Sequence, residues 1–236
     1  MALIEITGLE KKYGEDFSLV VDRLSVEKGS ITGIVGNNGA GKTTLLRLLL
    51  DLTEATGGEV VTDGIAVAGS DSWKSFTGSY LDEGFLIDFL TPEEYFYFTG
   101  RLCGLDAKAV EEKLRGFSRF LGGEVMGRKK YIRELSSGNR QKAGIVAAMI
   151  TGPRLLILDE PFNFLDPSSQ ILIRRLLEEE NSVRGTTIVL SSHNLAHMSG
   201  LCTRLLLLEK GRIIRDLSPP ADDLSEVEAY FKLQAG

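Results

Sequence analysis

Lys42 and Thr43 close the run Gly36-Asn37-Asn38-Gly39-Ala40-Gly41-Lys42-Thr43, a set of residue types whose spacing can hold a polyphosphate. The pattern is G-x-x-x-x-G-K-[ST], a phosphate-binding loop. Glycines there let the backbone turn tightly and bring its N–H groups close to an anion. Lys42 is placed for the outer phosphates and Thr43 for Mg²⁺. The residues assigned to phosphate contact are Gly36, Asn37, Asn38, Gly39, Ala40, Gly41, Lys42, Thr43 and Thr44. The flanking elements must position them. The apolar-rich run Ile31 to Val35 predicts a buried strand before the loop, and Thr44 to Asp51 predicts a helix after it. The N-terminus of that helix adds a positive dipole end.

Three more groups of residues carry chemistry. Leu155 to Leu158 is an apolar strand pattern that ends in Asp159-Glu160. A strand fixes Asp159 where it can hold the water shell of a metal ion, and puts Glu160 where it can face an attacking water. Leu135-Ser136-Ser137-Gly138-Asn139 precedes a predicted helix from Arg140 to Ile150. Ser136 and Gly138 offer a hydroxyl and backbone N–H groups at a helix N-terminus, which suits a second anion. An ordinary serine N-cap gives the same local pattern; the difference here is its order between the two nucleotide motifs. His193 follows a strand that ends at Leu190, and ligands of α/β sheets sit at the carboxyl ends of strands. Its imidazole can donate to a terminal phosphate. His197 is read as a surface histidine without a role.

The rest of the chain supplies the frame. Leu3 to Leu9 and Phe17 to Val26 predict strands, and Glu59 to Thr62 another between turns at Gly57-Gly58 and Asp63-Gly64. Thr91-Pro92-Glu93-Glu94 is a helix start, with Thr at the N-cap, Pro at N1 and Glu at N3. Helical patterns continue through Cys103 and then from Ala107 to Phe120. Trp73, Phe76, Tyr80, Phe85, Phe89, Tyr95, Phe96, Tyr97 and Phe98 crowd this region. Most are expected in the core of a small helical lobe, and some at a partner surface. The final third alternates a helix from Asp166 to about Glu180 with strands at Thr186 to Leu190, Leu205 to Leu208 and Arg212 to Arg215. This is an α/β sheet with crossover helices and a helical insertion.

Composition narrows the function further. The 236 residues carry a net charge of −6, which argues against a sequence-independent grip on nucleic acid. The compact basic run Arg128-Lys129-Lys130 is read as a solvated patch. Cys103 and Cys202 lack metal-ligand spacing and are expected as buried, reduced thiols. The chain opens on no signal-peptide pattern and has no apolar stretch approaching the ~20 residues of a membrane span. A soluble, cytosolic protein is expected, with any membrane part supplied by another chain.

In this order and over nearly the full length, the motifs resemble the nucleotide-binding domain of ATP-binding cassette (ABC) proteins. The resemblance implies a P-loop NTPase core with a mixed or parallel sheet, an N-terminal antiparallel β subdomain and an inserted α-helical subdomain. Residues 1–84 and 152–216 would form the core, 85–151 the helical subdomain and 217–236 a short helical tail, with a helix from Leu224 to Leu233. It makes 36–43 the Walker A motif, Leu135 to Asn139 the signature, Asp159 and Glu160 the Walker B acid and catalytic glutamate, Asn163-Phe164-Leu165-Asp166 the D-loop and His193 the switch histidine. Glu160, His193 and Lys42 would be catalytic, and Ser136, Ser137 and Gly138 would contact nucleotide. Tyr13, in Lys12-Tyr13-Gly14, would stack on adenine, a contact of about 1–3 kcal/mol.

Two departures from the family stand out. Ser137 replaces the first signature glycine, and Asn139 the usual glutamine. Asp82, with Glu83 beside it, occupies the place of the Q-loop glutamine; either carboxylate can meet Mg²⁺ or water, and Asp82 joins Thr43 and Asp159 in the implied metal set. The implied cofactors are ATP and Mg²⁺. The implied partners are an integral-membrane permease and a second copy or a similar ATPase subunit, joined head to tail with ATP between them, and no nucleic acid. That places the chain on the inner face of the cell membrane, with a lean toward export-type systems. Alternatives are a soluble ABC ATPase acting on a macromolecule, or a weakly hydrolysing nucleotide switch.

Overall fold

The computed structural model describes residues 1–14 and 17–219, together with 227, 229 and 231. The first strands are β1 (Ala2–Tyr13), β2 (Phe17–Glu27) and β3 (Ile31–Val35), followed by α1 (Lys42–Leu49), β4 (Gly57–Thr62) and β5 (Ile65–Ala66). Next come β6 (Thr77–Tyr80), α2 (Pro92–Leu102), α3 (Ala107–Val125), α4 (Ser137–Ile150), β7 (Leu155–Leu158) and α5 (Pro167–Arg184). The last are β8 (Thr187–Ser192), α6 (Leu195–Met198), β9 (Arg204–Glu209) and β10 (Arg212–Leu217). These divide into two compact units, residues 1–73 with 187–236, and residues 74–186.

In the first unit the strand order is β5-β4-β1-β2-β10-β9-β3-β8. β1 and β2 form an antiparallel hairpin in register from Ile4↔Val26 to Tyr13↔Phe17, and β4 pairs antiparallel with the other edge of β1. β9, β3 and β8 are parallel. Every residue of β3 and β8 is buried, which is why both read as continuous runs, whereas β1 alternates buried and exposed positions. α1 begins at Lys42, two residues earlier than expected, because Gly41 at φ +107° is the N-cap and starts the turn.

In the second unit β6 and β7 are parallel, from Thr77↔Leu155 to Tyr80↔Leu158. Two glycines bring α4 against β6. A Cβ at Gly78 would stand 2.0 Å from the Ala148 carbonyl oxygen, and one at Gly144 2.1 Å from the Tyr80 ring. Each long helix opens on a side-chain cap: Thr91 with Glu94 in a reciprocal capping box on α2, Asp106 on α3, Ser136 on α4 and Asp166 on α5. Hydrogen bonds from Ser168 and Ser169 hold the Asp166 carboxyl well below the usual carboxylate range.

The two compact units divide the chain at 73/74 and 186/187, where β6 and β7 pair with each other and pack with α4. Several expectations change. Cys202 is buried, but Cys103 is exposed, since it caps the carboxyl end of α2. Of the nine clustered aromatics, Trp73, Tyr80 and Phe96 are buried, and Phe85, Phe89 and Phe98 are exposed. The loop between β6 and α2 and the outer face of α2 carry them outward. The helix expected at 224–233 lies outside the described residues apart from 227, 229 and 231.

Candidate functional site

The first unit builds a polyphosphate cradle. β3 delivers the chain at Val35 into the loop, and the loop is packed where it turns. A Cβ at Gly36 would stand 2.3 Å from the Leu208 carbonyl oxygen, so only glycine fits between loop and β9. Asn38 and Gly39 are exposed at the tip, while Gly36 and Ala40 are buried. A turn closes with the Ala40 amide donating to the Asn37 carbonyl at 3.1 Å. Lys42 is only 6% exposed, and its ammonium donates to the carbonyls of Gly36 at 2.7 Å and Asn37 at 3.2 Å. The side chain thus folds back over the loop and sets its charge at the concave centre. Thr43 and Thr44 lie half-buried in the first turn of α1. Gly41 at the N-cap makes no side-chain cap hydrogen bond, and the positive dipole end of α1 faces the loop.

Two other predicted residues of this unit join the cradle. Val35 pairs with Ser192, so β3 and β8 end side by side. His193, exposed, therefore leaves the sheet next to the start of the loop. Tyr13 is 43% exposed at the end of β1. The Lys11 ammonium lies 5.1 Å from its ring centroid, and the Phe17 ring 6.4 Å. Phe17 in turn faces the loop: a Cβ at Gly41 would meet its ring at 2.9 Å. Sequence reasoning missed Phe17, which lies between the Tyr13 ring and the phosphate loop.

The second unit brings most of the remaining residues, though not Ser136 or Gly138, around one cavity of about 320 Å³. Asp82, Glu83, Ser137, Asp159 and Glu160 all line it, with Tyr80 and Gln141. Burial first, then the charges of Glu83 and Asp82, push the Tyr80 phenol above its ordinary value. Asp159 follows β7, and its amide donates to the Tyr80 carbonyl at 2.9 Å. Glu160 is half-buried at φ +47°, a left-handed conformation unusual for a glutamate. Asp82 caps a short 3₁₀ turn, accepting from the Gly84 amide at 2.8 Å. Glu83 instead accepts from Arg140 Nε at 2.5 Å. The same guanidinium donates to the Leu135 carbonyl at 2.8 Å and to Ser137 Oγ at 3.3 Å. Ser136 is exposed as the N-cap of α4, and Ser137 and Gly138 are half-buried. Ser137 adopts the helix, so its replacement of glycine carries no left-handed strain. Gln141 and the Glu83–Arg140 pair were not foreseen. The available signal for Gln141 was a polar residue just before the apolar buried run of α4.

A P-loop followed by its helix, beside a strand ending in a histidine, with a separate acidic cavity at a strand end, defines an α/β nucleotide-binding protein of the cassette type. A family model described as ABC transporter matches residues 21–163, and the chain belongs to that family. It is 30% identical to an uncharacterized ABC transporter ATP-binding protein, YdbJ of Bacillus subtilis, over 98% of this chain and 74% of that one. Identity to the bacitracin transport ATP-binding protein BcrA of Bacillus licheniformis is 33%, over 95% of this chain and 72% of that one. It spans 54% of the length of some other relatives. Among solved structures, the ATP-binding subunit of an ABC transporter superposes with a TM-score of 0.83 at 25% identity, covering 98% of this chain and 99% of that one. ATP is thus the nucleotide, Mg²⁺ its usual partner ion and hydrolysis the reaction.

Replacing Gly41 by alanine tests the cradle. At φ +107°, with Phe17 and Leu19 in the way, the variant must distort the loop, at a cost of about 1–3 kcal/mol. Titration with a fluorescent ATP analogue should show affinity reduced at least ~5-fold. Unchanged affinity would show that the loop conformation does not set binding.

Proposed function

We propose that this chain pairs head to tail with a second copy or a similar subunit, and that the pair powers an integral-membrane permease from the inner face of the membrane. The supporting observation is the division of anion-binding parts. The phosphate loop lies in one unit, and the signature lies in the other with Ser136 exposed at the N-terminus of α4. A γ-phosphate held by the loop of one copy and capped by the signature of the other joins them. Hydrolysis removes that bridge, so nucleotide state sets whether the pair is closed. Among the described residues no helix is long and apolar enough to cross a membrane, so the membrane passage belongs to the permease in this reading.

Each side chain then has a task. Lys42 and the loop amides hold the β- and γ-phosphates, and Tyr13 stacks on the adenine. The Glu160 carboxylate orients water and takes its proton as the oxygen attacks the γ-phosphorus and the bond to ADP breaks. His193 donates to the γ-phosphate. Thr43 and Asp159 would be the oxygen donors for Mg²⁺, and a hydroxyl with a carboxylate suits that hard cation. When bound, Mg²⁺ neutralises phosphate charge. Asp82 and Glu83 both line the cavity with Asp159 and Glu160; Glu83 pairs with Arg140, and Asp82 accepts from the Gly84 amide. Asp82, at the position of the Q-loop glutamine, is assigned that place on the metal side.

The permease contact is assigned to the exposed apolar side chains of the second unit. Phe85 is 49% and Phe89 62% exposed on the loop after β6, and Phe98 and Leu102 are exposed one helical turn apart on α2. Exposed aromatics of this kind anchor interfaces.

Two measurements test the proposal. Glu160→Gln should bind ATP and accumulate as a dimer in size-exclusion chromatography while turnover falls at least ~100-fold; a wild-type hydrolysis rate would remove Glu160 from the mechanism. Phe85→Ala with Phe89→Ala should abolish co-purification with the permease and leave ATP affinity within about twofold, a loss carried by interface anchors of about 2 kcal/mol or more. Full recovery of permease by that double variant would place the contact elsewhere.

A further inference from the structure

The turn from Glu160 to Phe164 is held in an unusual shape. Glu160 has φ +47° and Phe164 φ +62°, and neither is glycine. Phe164 is also 74% exposed, so burial of its ring does not hold it there. Left-handed backbone at such residues is strained and persists only when its surroundings fix it.

Gln170 on α5 donates from Nε2 to the Phe162 carbonyl at 3.2 Å in the middle of the turn, and two contacts come from the start of α4. Gln141, 6% exposed, donates from Nε2 to the Glu160 carbonyl at 3.0 Å. That carbonyl also accepts from the Asn163 amide at 3.1 Å, closing the turn. One helical turn earlier, Gly138 lies against the Phe164 carbonyl: a Cβ there would stand 2.5 Å from that oxygen. The Glu160 end of the turn is therefore hydrogen-bonded to the helix that Ser136 caps, and its Phe164 end packs closely against the same helix.

We infer that Gln141 is a positioning residue that sets Glu160 through its main chain, and so ties the orientation of the hydrolytic carboxylate to the signature of the same chain. The inference rests on the proposed head-to-tail pairing and on Glu160 as the base. In that pairing the signature of a chain caps its partner's nucleotide, while Glu160 of that chain serves its own. The hydrogen bond from Gln141 then joins the two nucleotide sites within one polypeptide. Nucleotide capping at one site moves the start of α4, and the movement reaches Glu160 at the other. A left-handed turn hydrogen-bonded to α4 suits this use, because its first residue can follow a movement of that helix.

The test uses the full-length protein. Gln141→Leu keeps the side-chain volume and removes the donor; Gln141→Glu keeps size and polarity but sets a carboxylate against the Glu160 carbonyl. Both should bind ATP with KM within twofold of wild type and still form the nucleotide-loaded dimer. Both should lose at least tenfold in kcat, and the dependence of rate on ATP should lose its cooperativity. Glu160→Gln is assayed in parallel. If that variant hydrolyses ATP normally, the reading of Glu160 fails and the inference goes with it. If it is inactive while both Gln141 variants keep wild-type kcat and cooperativity, the link alone is refuted. Loss of kcat matched by an equal loss of ATP-dependent dimer would also refute it, since Gln141 would then serve only assembly.

Discussion

The ammonium of Lys42 is the charge around which the phosphate loop is organised. A buried lysine is tolerated only where oxygens surround it. Here the oxygens are the carbonyls of Gly36 and Asn37, on the loop that the lysine itself closes. The loop takes this shape because Gly36 fits against the backbone of β9 and Gly41 turns at positive φ beneath Phe17. The N-terminus of α1 and the lysine thus lie on the same loop, where a polyanion is the complementary ligand. The all-buried strands β3 and β8 fix that point rigidly, and the pairing of Val35 with Ser192 sets His193 beside it.

The second unit applies the same physics with less charge. The N-terminus of α4 offers serine hydroxyls and amides, with Arg140 held beside Ser137. Glu83 offsets that cation, so the signature presents hydrogen-bond donors more than net charge. A cradle of this strength is suited to capping a phosphate already bound elsewhere, not to holding a nucleotide alone. The cavity beside it is lined by the carboxylates Asp82, Asp159 and Glu160, to which the proposed mechanism gives the metal and the water.

Much of this was legible in the sequence wherever one residue type has one physical use. The loop glycines and Lys42, the apolar runs of β3, β7 and β8, and the caps at Thr91, Ser136 and Asp166 all formed as their types require. What escaped was set by partners distant in sequence. β6 contains Gly78 and Ser79 and has no apolar run; it is a strand because β7 pairs with it and α4 approaches it at Gly78. Gln141 looks like any helix-surface amide until Glu160, nineteen residues on, supplies the carbonyl it faces. Cys103 and the exposed phenylalanines show the reverse: their apolar character predicts burial, but the carboxyl end of α2 and the loop after β6 turn them outward.

The central claim is that nucleotide bridges the loop of one copy and the signature of another. Engineered disulfide trapping tests it most directly, with cysteines placed at Asn38 and Ser137 and the exposed Cys103 changed to serine. ATP should produce a covalently linked dimer on a non-reducing gel, and its omission should leave monomer. Monomer under both conditions, or linkage that ignores ATP, would contradict the account.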